Sequence, residues 1–210
     1  MSEVLIQTAP PRPRFITHPW HAFGETFENL EINGTPAPYP VVNERAVRAT
    51  AGLMLIVGSF AFSMAFFMQS YAPIKVITAV FFVDFSLRIA TGLTPLSPFG
   101  VLGSWLVSNQ TAEWTGATQK KFAWGIGVAI SLIMAVVTNM NITGALPFTM
   151  CMICMVLMWA ECALGVCVGC KLYNWFVRLG ILREPEYAPA CPGSVCEVPQ
   201  RPDANLSEAR

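Results

Sequence analysis

Charge is what this sequence has least of. Only 12% of its 210 residues are Asp, Glu, Lys or Arg, against about 25% in an ordinary soluble domain. A chain this poor in charge cannot coat a water-soluble globule, so lipid is the expected solvent for much of it. The few charges balance at 13 basic and 13 acidic. No basic excess is left for a nucleic-acid footprint, and no nucleic-acid partner is expected. Histidine is nearly absent. His18 and His21 flank Pro19-Trp20 in the N-terminal segment, where an exposed pair usually binds neither metal nor pigment. There is no phosphate loop, no Ser-His-Asp set and no His-rich metal motif. The first 40 residues contain no short apolar run with a cleavage site, so the N-terminus is expected to be retained. No particular cofactor is indicated.

What is present is apolar. Hydrophobic residues make up 54% of the chain, with 14 Phe, 10 Met and 6 Trp, a composition suited to a lipid-facing surface with interfacial anchors. Four apolar stretches stand out, at about 46–68, 72–90, 122–140 and 144–169. Each is near the ~20 residues that span a bilayer core as a helix. The second is the weakest, because it carries Lys75, Asp84 and Arg88. Tyr71-Ala-Pro73 closes a short link between the first two, and Asn139 to Gly144 does the same for the last two. The expected fold is therefore all-α: a polytopic membrane protein with four transmembrane helices in two antiparallel hairpins. In the longer segment between the hairpins, residues 99–107 are expected to form a short interfacial helix. Residues 1–40 read as an N-terminal extension with an amphipathic stretch from Trp20 to Ile32. Residues 41–180 read as the transmembrane domain, and 181–210 as a Pro-containing tail.

Lys and Arg placement sets the expected orientation. Arg12, Arg14, Arg45 and Arg48 precede or open the first helix. Arg88, Lys120 and Lys121 flank the middle loop, and Lys171, Arg178, Arg183, Arg201 and Arg210 follow the last helix. Only Lys75 lies near a short link. Both termini and the middle loop are expected in the cytoplasm.

Chemistry concentrates on the last helix. Of seven cysteines, Cys151, Cys154, Cys162, Cys167 and Cys170 lie on it or at its end. The first three read as small buried hydrophobes. Cys167-Val-Gly-Cys170 is a Cys-x-x-Cys whose sulfurs can approach each other on one helical face. In the cytoplasm a structural disulfide is disfavoured, which leaves a thiol–disulfide couple, a sulfur-accepting thiol or half of a metal site. Lys171 favours a thiolate, whereas the negative end of a helix macrodipole opposes one. A zinc site would need two more ligands, which Cys191 and Cys196 of the tail could supply. Glu161 is ionisable at membrane depth and so a functional candidate, a proton acceptor near the pair. Asp84 and Arg88 stand four apart in the order that suits a helical ion pair. Glu161 is expected to reach the same level and to compete for Arg88, the three forming a structural clamp between the second and fourth helices.

With those residues in view, the chain resembles a bacterial membrane family known as domain of unknown function 4395. The likeness rests on Val42-Asn-Glu-Arg-Ala-Val-Arg-Ala-Thr-Ala-Gly52, Asp84-Phe-Ser-Leu-Arg88, Leu96-Ser-Pro-Phe99 and Lys120-Lys-Phe-Ala123. Its most distinctive piece is Glu161-Cys-Ala-Leu-Gly-Val-Cys-Val-Gly-Cys-Lys-Leu-Tyr173. The resemblance covers roughly 41–180. It implies a compact four-helix protein of the bacterial inner membrane with the Cys pair as hallmark, and an association with thioredoxin-like or rhodanese-like proteins. It carries no activity. The candidate site it implies is Cys167, Cys170 and Glu161, supported by Asp84 and Arg88.

Three functions stay open on these residues. The first is thiol-dependent handling of sulfur species or reducing equivalents. The second is a non-catalytic accessory subunit of a larger respiratory or photosynthetic complex. The third is a small anion transporter in which Arg88 attracts a sulfur anion.

Overall fold

The computed structural model describes residues 31–32, 35–36, 40–110 and 112–182. His18, His21, Cys191 and Cys196, with most of the two expected tails, lie outside the described residues. So does the amphipathic stretch from Trp20, apart from Glu31–Ile32. These two residues form β1, which pairs antiparallel with β2, Thr35–Pro36.

Two three-residue strands organise the helical part. β3 (Val41–Asn43) pairs antiparallel with β4 (Trp114–Gly116), aligning Val41 with Gly116 and Asn43 with Trp114. Each strand runs straight into a long helix: β3 into α1 (Glu44–Met68) and β4 into α4 (Ala117–Asn139). The first amide of each helix has no partner within its own helix. Here Glu44 N–H donates to the Glu113 carbonyl at 2.6 Å, and Ala117 N–H to the Pro40 carbonyl at 2.8 Å. Asn43 caps α1 by accepting from Arg45 N–H at 3.1 Å. The ribbon thus holds the starts of α1 and α4 side by side.

The other elements follow from their punctuation. α1 ends at Gln69 in the left-handed region, and Pro73 sits in the first turn of α2 (Ala72–Thr91). Ser97 caps α3 (Pro98–Leu106), accepting from Gly100 N–H at 2.9 Å. A short helix therefore stands where one was expected over 99–107, with Leu102, Trp105 and Leu106 exposed. Gly144 precedes α5 (Ala145–Leu164). Gly165, at φ +65°, terminates α5, and the Val166 N–H returns to the Ala160 carbonyl at 3.0 Å. The chain then starts α6 (Val168–Arg178). The expectation of one last helix running to residue 169 is corrected here: the break at Gly165 puts the two cysteines on a separate element.

Three helices, α1, α4 and α5, are long and apolar enough to cross a membrane. α2 matches them in length but carries Lys75, Asp84 and Arg88. The core is split between the two ends of the bundle. At one end Val42, Ala46, Val47, Leu93, Ala117 and Trp124 pack together. At the other, Ala61, Ala65, Ile74 and Met134 pack with Tyr71 and Phe148 around them. The closest helix pairings are α2 with α4 and α1 with α5, whereas α4 and α5, though joined by a short link, scarcely pack on each other. α5 buries only Pro147.

Candidate functional site

The end of the bundle where α1 and α4 begin holds the buried charged residues Glu44, Asp84, Arg88 and Lys120. Because β3 and β4 align those starts, Glu44 of α1 and Lys120 of α4 fall at one level. Lys120 is 1% exposed. Its Nζ donates to Glu44 Oε1 at 3.0 Å and to Glu161 Oε1 of α5 at 2.5 Å. One ammonium therefore ties three helices together. The site sets one cation between two carboxylates, which between them can hold a proton. This corrects one expectation: Glu161 pairs with Lys120 instead of taking Arg88. Glu44 and Lys120 were missed because their signals are non-local. Lys120 is 76 residues from Glu44 and 41 from Glu161.

Asp84 and Arg88 form their own cluster beside it. Arg88 Nη2 donates to Asp84 Oδ2, as the four-residue spacing predicts. Asp84 Oδ1 also accepts from Ser97 Oγ at 2.7 Å and from the Phe99 amide at 2.9 Å. Arg88 Nε donates to Ser97 Oγ at 3.2 Å, and the guanidinium lies over the Phe85 ring. The clamp therefore joins α2 to the start of α3, not α2 to α5. Such a buried pair is sustained only when its remaining polar atoms are also satisfied, and Ser97 and Phe99 do that here.

The cysteine pair sits over the same end. Cys167 is the N-cap of α6, and its Sγ accepts from the Cys170 N–H at 3.3 Å. That reverses the helix-dipole argument made from sequence. The pair lies at the positive start of a helix, where a thiolate is favoured, rather than at a negative end. Cys167 is 3% exposed and Cys170 1%. The Cys170 thiol is held well above its ordinary value, first by its hydrogen bond with the Cys167 sulfur and then by burial, while the Lys120 charge pulls the other way. α6 reaches this position because Gly169 lies against Ala123 of α4: a Cβ on Gly169 would come within 2.5 Å of the Ala123 Cβ. Gln119 Nε2 adds a bond to Asn174 Oδ1 at 2.8 Å. Cys151, Cys154 and Cys162 are partly buried along α5. Among the described residues no group of three or more His, Cys, Asp or Glu is placed to hold a metal ion.

Residues 42–178 match the family described as Domain of unknown function (DUF4395). The chain belongs to that family. The matched span contains both polar clusters and the cysteine pair of this DUF4395 protein, and it leaves out Cys191 and Cys196. No curated protein and no solved structure matches the chain.

Proposed function

We propose that this is a thiol-active protein of the bacterial inner membrane, crossing it four times with α2 as the fourth span and with both termini in the cytoplasm. The bundle end that holds the cysteines also carries Arg45, Arg48, Lys120, Lys121, Lys171 and Arg178, while Lys75 lies at the other end. The excess of basic residues favours the cytoplasm for the cysteine end.

One observation carries the thiol reading. A Cys-x-x-Cys opens a helix with its first sulfur on a backbone amide, next to a buried Lys–Glu pair. In this reading Cys167 attacks, Cys170 resolves, and the Glu44–Lys120–Glu161 cluster takes up and returns the proton. Reducing equivalents or sulfur come from a soluble thioredoxin-like or rhodanese-like partner, which reaches the buried pair when α6 lifts from α4. The test is complementation of a deletion strain. The wild-type chain restores thiol- or sulfur-dependent growth, and Cys167→Ser with Cys170→Ser does not. Full rescue by the double variant sinks the reading.

A second reading, an accessory subunit of a larger membrane complex, is favoured by α5. A helix that buries only Pro147 within its own chain leaves a long face for a neighbouring helix to cover. Purification in mild detergent separates the two, since a monomer or simple homo-oligomer counts against a subunit. Arg88, expected to attract an anion in a transporter, is instead engaged by Asp84 and Ser97.

A further inference from the structure

The four long helices do not fill the space between them. Side-chain packing normally leaves few voids larger than a water molecule, yet a cavity of about 290 Å³ runs along this bundle. Six residues of α5 line it, and four of them carry sulfur: Cys151, Cys154, Met155 and Met158. The outward side of α5 differs. Of the six large apolar residues that it exposes, Met152 alone has sulfur. The helix therefore turns its sulfur towards the cavity and mainly aliphatic and aromatic groups away from it.

The four residues make a closed figure on the helix surface. Cys151 and Cys154 are three apart, as are Met155 and Met158. Cys151 and Met155 are four apart, as are Cys154 and Met158. Each is thus the helical neighbour of two others, with Cβ atoms about 5–6 Å apart. The unbranched, flexible methionine side chains can carry their sulfurs from that spacing to one centre. Ser59 of α1 donates to Met155 Sδ at 3.6 Å, which holds that sulfur between α5 and α1. Across the void, Met134 of α4 lines the same cavity and belongs to the cluster on which Cys151 packs. Met54 is excluded, because its sulfur already accepts from Arg88 at 2.9 Å. All four α5 residues are partly exposed, unlike Cys167 and Cys170. The charged end takes no part. Arg88 and Lys120 are paired with carboxylates there, and Cys151 stands ten residues from Glu161, about 15 Å along the helix.

We propose that Cys151, Cys154, Met155 and Met158, with Met134 opposite, bind a soft monovalent cation, copper(I), inside the bundle. Thiolate and thioether sulfur are the protein ligands that favour copper(I). Charge argues the same way. A monovalent ion held by one thiolate and several thioethers is neutral as a whole, and a net charge between apolar walls is costly. A divalent ion would have to ionise both thiols to reach neutrality. On binding, one cysteine gives its proton to the surrounding water and a sulfur lone pair to the ion. No electron is transferred, and the copper stays copper(I). No set of three among His, Cys, Asp and Glu marks the place, because the thioethers complete it. The site is separate from Cys167 and Cys170 and does not rest on the thiol reading of that pair.

The experiment uses the full chain in lipid nanodiscs, without oxygen and with ascorbate to keep the copper reduced. Cys167→Ser, Cys170→Ser, Cys191→Ser and Cys196→Ser form the background, so that neither of the other cysteine pairs can hold the ion. Copper(I) is titrated in competition with the chromogenic chelator bicinchoninate. One ion per chain is expected, with sulfur as its only neighbour in X-ray absorption. Met155→Leu and Met158→Leu conserve side-chain volume and so keep the packing. Each is expected to weaken binding at least tenfold, and Cys151→Ser with Cys154→Ser to abolish it. Met152→Leu, on the outward face, should leave the affinity unchanged. If the α5 variants all bind copper(I) as tightly as the background chain, the ion is adventitious and the proposal is wrong. If zinc(II) at equal concentration displaces the copper(I), the soft-ion assignment is overturned. If the background chain binds no copper(I), the four sulfurs are packing groups only and the proposal fails. None of these results bears on Cys167 and Cys170, so the thiol reading stands or falls by its own complementation test.

Discussion

Lys120 of α4 and Glu161 of α5 meet at 2.5 Å between Nζ and Oε1, in a bundle where their two helices otherwise scarcely touch. A buried ammonium therefore makes a polar link across a loosely packed seam of the protein. The same ammonium is shared with Glu44. Loss of Lys120 leaves both carboxylates without a counter-charge.

That sharing makes the first prediction. Lys120→Met strands two buried carboxylates, and breaking a buried pair from one side costs about 3–5 kcal/mol. Adding Glu44→Gln and Glu161→Gln removes the stranded charges, so the triple variant is expected to recover most of the loss. Thermal unfolding in detergent checks both. Equal stability of the single and triple variants would contradict the account.

The second prediction concerns the seat of α6. Gly169→Ala brings a Cβ to 2.5 Å from the Ala123 Cβ and 2.8 Å from its Cα. Overpacking of this kind costs about 1–3 kcal/mol, and the cheapest relief is for α6 to lift. Cys167 and Cys170 are then expected to react with maleimide several-fold faster than in the wild type. Adding Ala123→Gly removes the nearer contact and should restore part of the protection. Unchanged labelling in Gly169→Ala would show that α6 is not seated by this contact.

The third follows from the Cys170 proton. Burial and the hydrogen bond with the Cys167 sulfur raise this thiol above its ordinary value of 9.0. Above that pH the unfolded chain releases a proton that the folded chain keeps, so alkali favours unfolding. The contribution is fully present below about pH 9 and declines as pH rises, by at most about 1.4 kcal/mol per pH unit. Cys170→Ser removes it. Unfolding midpoints measured upward from about pH 8 should fall more steeply for the wild type than for Cys170→Ser, and parallel curves would refute the assignment.

Part of this architecture was legible in one dimension. The hydrophobic stretches of α1, α4 and α5 could be read because lipid imposes a length and a composition on any helix that crosses it. Membership of DUF4395 was legible from short runs within residues 42–178. The Asp84–Arg88 pair could be read because both ends lie on one helix four residues apart. The break at Gly165 was harder. The segment from Gly144 to Gly169 is apolar apart from Glu161 and does not show where one helix stops. The left-handed conformation of Gly165, with the Val166 amide returning to Ala160, ends α5 and makes Cys167 a cap. A shift of one element changed the sign of the dipole at the cysteines.

By itself, the sequence determined the solvent of this protein, the approximate extent of its long helices and the chemical groups available near one end. Those follow from local composition and spacing. Only the tertiary structure decided which groups meet. The β3–β4 ribbon levels Glu44 with Lys120, α5 brings Glu161 to the same ammonium, and Gly169 lets α6 pack against Ala123 of α4. Each depends on contacts between distant parts of the chain, which helical periodicity does not encode. Low charge announced a membrane protein, and where the few charges were buried defined its candidate site.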